Sequence, residues 1–141
     1  MPRNRTAIPT TVLGGIALVA LTGCGPAPVA CPAIGWGHTL TVEVTGQTSS
    51  VRSVQLCTED GCAPGPDVNS SSPLSLIRVA ERSGERWMFA TDVFLLEEVT
   101  VRVLDADGSV VSESSVSPDW KRVGGSEQCG GPSTALVTVS V

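Results

Sequence analysis

The chain predicts an all-β fold, a two-layer sandwich of about seven strands. Three observations carry that expectation. Charged residues make up only 16% of the sequence and aromatics 4%, with no Tyr; Ser, Thr, Val, Gly and Pro fill the difference, the material of short strands and turns. Apolar and polar residues alternate with period two in several short segments. Turn signals separate those segments at sandwich-like intervals. At 141 residues the sequence has room for one domain.

The strands follow in order. Leu40, Val42 and Val44 alternate with Thr41, Glu43 and Thr45, which describes a strand with one wet face, closed by Gly46 to Ser50. Val51 to Cys57 reads as a second strand with Val54 and Leu56 inward, and Thr58-Glu59-Asp60-Gly61 turns the chain to Cys62. The stretch from Pro64 to Pro73 is irregular. Leu74 to Ala80 fits neither period cleanly, and a strand is favoured over a helix there. Ser83-Gly84-Glu85 makes a turn before a strand that points Trp87 and Phe89 to one face. Val99, Val101 and Val103 form the next, Asp105-Ala106-Asp107-Gly108 turns it, and Val110 to Val116 returns as the other arm of that hairpin. After a long loop containing Trp120, Ala135, Val137, Val139 and Val141 close the domain.

Short strands of this number and spacing resemble an immunoglobulin-like sandwich, in architecture only. The inter-sheet Cys…Trp…Cys pattern of antibody domains does not match, because Cys57 and Cys62 are too close in sequence to span two sheets. A closed barrel fits the same strand count.

Residues 1–23 have the three parts of a secretory leader. Arg3 and Arg5 form a positive segment, Val12 to Leu21 an apolar run of ten residues, and Thr22-Gly23 a small-residue site. The run is half the ~20 apolar residues of a spanning helix, and Gly14 and Gly15 weaken it further. Asn4 separates the two arginines, which argues against a twin-arginine signal. Leu21-Thr22-Gly23-Cys24 resembles the lipobox of bacterial lipoproteins. The resemblance implies a helical signal peptide, a diacylglyceryl thioether on Cys24, cleavage on the amino side of that cysteine, and membrane attachment facing away from the cytoplasm. Residues 24–30 then form a Pro-rich tether, and residues 31–141 the sandwich domain.

Cysteine parity agrees with this reading. The chain has five cysteines; lipid on Cys24 leaves an even set that can close two disulfides in an oxidising compartment. Three pairings are open, and Cys57–Cys62 with Cys31–Cys129 is favoured. The first pair flanks a hairpin turn. The second lies just before the first and last strands, whose beginnings meet if they run parallel side by side. Four intervening residues that include acidic Glu59 and Asp60 do not suit a thioredoxin-like redox site, so the short bridge reads as structural.

Charge and residue inventory narrow the function. The net charge is −5, and loss of the leader removes two of the nine basic residues and none of the 14 acidic ones, which makes the rest more acidic still. An acidic domain without a basic cluster does not suit nucleic acid, and an anionic lipid surface does not attract it. His38 is the only histidine, and no Gly-x-Ser-x-Gly elbow is present, so no serine nucleophile has a visible base. One histidine and disulfide-bound cysteines do not make a transition-metal site; His38 is expected at the surface or a strand edge. Asp105 and Asp107 look like the start of a calcium loop, yet the distal ligands do not follow, and a hairpin turn is the better reading. Glu97 and Glu98 face opposite ways in an extended chain; Asp92 and Glu113 are the other candidate halves of a carboxylate pair. Trp36, between two glycines, and Trp120, before Lys121-Arg122, are the candidate binding surface, or else they pack under the Cys31–Cys129 bridge and over a sandwich end. The expectation is a non-enzymatic, cofactor-free interaction module of the cell envelope, held to the membrane by lipid and binding an envelope protein or a small ligand. A structural or assembly envelope lipoprotein without a discrete ligand is the alternative, and an envelope hydrolase the third reading.

Overall fold

The computed structural model describes residues 28–66, 70–92 and 94–141; the expected leader and the expected lipidation site, Cys24, lie outside the described residues. The fold grows from β1 (His38–Thr45), whose inward side chains Leu40, Val42 and Val44 are all fully buried. Thr39, Thr41 and Glu43 alternate with them on the outer face. The remaining strands are β2 (Ser53–Thr58), β3 (Gly61–Ala63), β4 (Arg78–Ser83), β5 (Arg86–Asp92), β6 (Val99–Leu104), β7 (Val110–Val116), β8 (Lys121–Arg122) and β9 (Ser133–Ser140).

They form two sheets, ordered β4-β5-β1-β9-β8 and β3-β2-β6-β7. β1 therefore lies at the centre of the larger sheet, antiparallel to β5 and parallel to β9, with Leu40 opposite Ala135 and Val42 opposite Val137. The expected parallel meeting of the first and last strands is present. The smaller sheet is wholly antiparallel. Val54, Leu56, Val99, Val101 and Val103 face across to Leu40, Val42, Phe89 and Trp87 in one continuous core. Each such buried aliphatic or aromatic side chain contributes about 1.5–3 kcal/mol relative to exposure. The two separate sheets make a sandwich rather than a closed barrel.

Two segments differ from the expected elements. Leu74 to Ala80 is not one strand: Pro73–Leu76 forms a 3-10 turn, and β4 begins only at Arg78. The local chemistry explains it. The Ser72 hydroxyl accepts the Leu74 amide at 3.2 Å, and Pro73 supplies a fixed φ at the first position of the turn. The turn buries Leu74 and is followed by Ile77, also buried. The second difference is in count. The short strands β3 and β8 raise the total among the described residues to nine; at three and two residues they are too brief for an alternation to reveal them.

Both disulfides form as favoured from the sequence. Cys57 and Cys62 are directly opposed on β2 and β3. Cys31 and Cys129 join the approaches to β1 and β9, with Cα atoms 5.2 Å apart and a sequence separation of 98. In the loop-entropy account, closing a loop of that length stabilises by about 4.7 kcal/mol, against about 2 kcal/mol for the short one. Replacing Cys31 and Cys129 together by Ala is expected to lower unfolding free energy by about 3–5 kcal/mol, and the Cys57/Cys62 double replacement by about 2 kcal/mol. Urea unfolding of the two variants checks the order.

One core position is polar without compensation. Thr91 is fully buried on the inner face of β5, and its hydroxyl has no hydrogen-bond partner among the described residues. A buried hydroxyl in that state costs roughly 1–3 kcal/mol. Thr91→Val, which keeps the shape and β-branching, is expected to raise stability by about 1 kcal/mol in the same unfolding assay.

Candidate interaction surface

Strand directions divide the sandwich into two ends. The starts of β1, β6 and β9 and the ends of β2, β5 and β8 lie at one end, together with the Cys31–Cys129 bridge. The loops 46–52, 84–85 and 105–109 lie at the other.

The bridge end is built around a loop of glycines. Gly124-Gly125 and Gly130-Gly131 face each other across a one-residue bridge from Ser126 to Gly130. The backbones approach so closely that a Cβ on Gly125 would meet the Gly130 carbonyl oxygen at 1.9 Å, and both Gly125 and Gly130 have φ of 71°. Only glycine fits such a position. The loop carries Cys129 to Cys31 and offers the Cys129 carbonyl to the Trp36 indole N–H at 3.1 Å. Trp36 is therefore half-buried beside the disulfide. Trp120 is also half-buried; it packs on the core edge and donates to the Leu96 carbonyl at 2.9 Å. Both candidate binding tryptophans thus sit at one end of the sandwich, each fixed by a backbone hydrogen bond, with part of each ring accessible.

His38 is not at the surface as expected from the sequence. It opens β1 in the middle of the five-stranded sheet and is 9% exposed. Its Nδ1 accepts the Ser133 amide at 3.0 Å, and its ring meets Trp120 edge-on with centroids 6.1 Å apart. A single histidine adjoining an apolar run gave no sign that the strand would be central. Burial lowers the His38 pKa below its ordinary value, and an Nδ1 that accepts a hydrogen bond also requires the neutral ring.

The acidic candidates do not converge. Glu97 and Glu98 are exposed in the loop before β6. Glu113 pairs with Arg102 at 2.8 Å across β7 and β6, and the same guanidinium donates to Cys62 Sγ at 3.3 Å. Asp105 Oδ1 accepts the amides of Asp107 and Ser109, both at 2.9 Å, and Gly108 takes φ of 79°. This is an Asx-type turn closing the β6–β7 hairpin. Among the described residues no group of three or more His, Cys, Asp or Glu side chains is placed to hold a metal ion.

The surface depressions of the described residues are open. One of about 530 Å³ lies on the outer face of the five-stranded sheet between Thr41, Arg86, Asp119, Lys121, Thr134 and Leu136. Arg86 is paired with Glu43 at 2.8 Å, Lys121 reaches Asp119 at 3.6 Å, and Leu136 stands 56% exposed among them. Exposed pairs of this kind contribute about 0–1 kcal/mol to stability. They shape the face more than they hold the fold. A second basin, about 380 Å³, lies at the bridge end beside Pro73, Leu76 and Phe94. No sequence signal marked the outer-face basin, because its lining comes from four separate segments brought together by sheet order.

No family model matches the chain, and no match is found among curated proteins or solved structures.

The His38 environment sets a pH dependence. With the folded pKa depressed, the unfolded chain binds the proton more readily than the native state. The stability His38 contributes is complete above its unfolded pKa of about 6.5 and is lost as pH falls through the lower folded value. Melting temperature is expected to be level from pH 7 to 8 and to decline below 6.5. His38→Gln, whose carbonyl can accept the same amide, is expected to flatten that decline between pH 5 and 7.

Proposed function

We propose that this protein is a lipid-anchored lipoprotein facing away from the cytoplasm, which presents a disulfide-stapled, immunoglobulin-like sandwich as an interaction module of the cell envelope. The observation that carries the proposal is the cysteine accounting. Two bridges use Cys31, Cys57, Cys62 and Cys129, and of the five cysteines only Cys24 is left over, at the end of an apolar leader in a lipobox-like setting. Disulfides belong to oxidising compartments, and two acyl chains suffice for stable anchoring. No helix among the described residues is long and apolar enough to cross a membrane, so the lipid on Cys24 is the attachment this reading requires.

The binding role rests on the outer-face basin. It mixes Arg86, Lys121 and Asp119 with Thr41, Thr134 and exposed Leu136. An open basin of charged, hydroxyl and apolar groups on a flat sheet suits a protein surface better than a small molecule, which binds in a concave, mostly apolar site. The described carboxylates and the lone histidine supply no nucleophile–base pair, so a binding role accounts for the surface more directly than a hydrolytic one.

Cys24→Ser is expected to abolish incorporation of labelled fatty acid and to shift the protein from the membrane fraction to the medium, or to leave it uncleaved. Unchanged labelling and membrane fractionation would refute the anchor. Pull-down from solubilised membranes, with Arg86→Glu and Leu136→Asp as the comparison, checks the basin; a partner lost from both variants supports the binding role.

A further inference from the structure

The exposed apolar side chains of the domain are unevenly placed. Val29, Ile34, Leu76, Leu95 and Val123 are between 45% and 61% exposed, and all five belong to the segments at the bridge end. Leu76 precedes β4, Leu95 follows β5, Val123 follows β8, and Val29 and Ile34 flank Cys31. The other exposed large aliphatics lie on strands: Val79 near the start of β4, Leu136 on the outer face of β9, and Val110 and Val111 at the start of β7 toward the opposite end. The loops at the opposite end, 46–52, 84–85 and 105–109, hold none.

We propose that this apolar end of the sandwich docks against the lipid bilayer, so that the protein stands on the membrane in a fixed orientation with loops 84–85 and 105–109 outermost. The inference rests on the lipid anchor at Cys24 proposed above. Six residues separate Cys24 from Cys31, and at about 3.1 Å each in extended Pro-rich backbone they reach roughly 20 Å. The Cys31–Cys129 bridge fixes the inner end of that tether to the loop end carrying Val123 and Trp36. β1 and β9 are eight residues long, about 26 Å at ~3.3 Å per residue. A 20 Å tether leaving the bridge end holds that end at the bilayer and keeps the far loops away from it.

The patch also has the right breadth. Leu76 and Leu95 lie toward the β4–β5 side of the five-stranded sheet and Val123 toward the β8 side, roughly 20 Å apart at about 4.8 Å per strand. Each aliphatic side chain alone is a weak membrane ligand, but a tethered domain meets the surface at high effective concentration. Glu59, Asp60, Glu97, Glu98 and Glu127 ring the same end and are exposed. They outnumber the basic Arg78, Lys121 and Arg122 of that end, so the contact belongs to zwitterionic headgroups and acyl chains rather than anionic lipid.

The test uses the lipidated protein in phosphatidylcholine vesicles containing brominated phosphatidylcholine, with one added tryptophan at either end. In Val123→Trp the added indole is expected to be quenched and blue-shifted by brominated lipid, while in Ala106→Trp it is not. Leu95→Trp probes the same end if the first variant fails to fold. Failure to co-float with vesicles would refute the anchor reading and this inference together. Co-flotation with equal or absent quenching at both ends would overturn the docking alone. A blue shift that grows with protein concentration, and not with brominated lipid, would assign the patch to a second copy and overturn it as well.

Discussion

β1 is hydrogen-bonded on both sides, and its two partners come from opposite parts of the chain. Counted from start to start, β5 follows it by 48 residues (86 − 38) and β9 by 95 (133 − 38). The parallel pairing with β9 is the demanding one, because parallel strands need a long crossover and their registry must be reached through a large loop. The Cys31–Cys129 bridge sits just ahead of that ladder and removes most of the loop-closure cost from it. With the ladder in place, Leu40, Val42, Ala135 and Val137 form one continuous inner row, and the smaller sheet has a surface to pack against. The glycine loop at 124–131 exists to bring Cys129 to that point; a side chain at Gly125 or Gly131 would force the two backbones apart.

The parts of this fold that were legible in the sequence are those governed by period-two alternation. β1, β2, β5, β6 and β9 bury the residues that the pattern points inward, among them Val42, Leu56, Phe89, Val101 and Val137, whereas β7 buries none of its side chains fully. The pairing of four cysteines was legible because hairpin geometry fixes the short bridge and the positions before the terminal strands fix the long one. Other features were hidden for physical reasons. The 3-10 turn at Pro73–Leu76 is decided by a single Ser72 cap and by burial of Leu74, which a strand-like run of aliphatics masks. His38 is buried because β1 is central, a property of sheet order rather than of its neighbours in sequence. The outer-face basin is likewise a product of sheet order. Trp36 and Trp120 were singled out as candidates for a surface, and the same residues turn out to be braced by backbone carbonyls.

The two ends of the sandwich follow different rules. One is closed by tight polar turns, such as the Asp105 turn with its two amide donors, and by the hydroxyl–carboxylate contact of Thr48 with Glu85. The other holds the disulfide, the glycine loop, both half-buried tryptophans and five exposed aliphatics. The sheet edges are less distinct: β4 is interrupted by a bulge between Val79 and Glu81 and carries charges at both its ends' approaches through Arg78 and Arg82, features that discourage edge-to-edge pairing.

The central place of β1 also governs when the domain can come into being. A strand that waits for a partner more than 90 residues downstream stays unpaired on one side while the chain emerges in order from its amino end. Contacts of such long range make folding slow. Under the export proposed above, that delay would leave the precursor pliable during passage, with the final staple closing only where thiols are oxidised. Topology would then act as a timer, holding back completion of the native state until the whole chain, β9 included, has emerged.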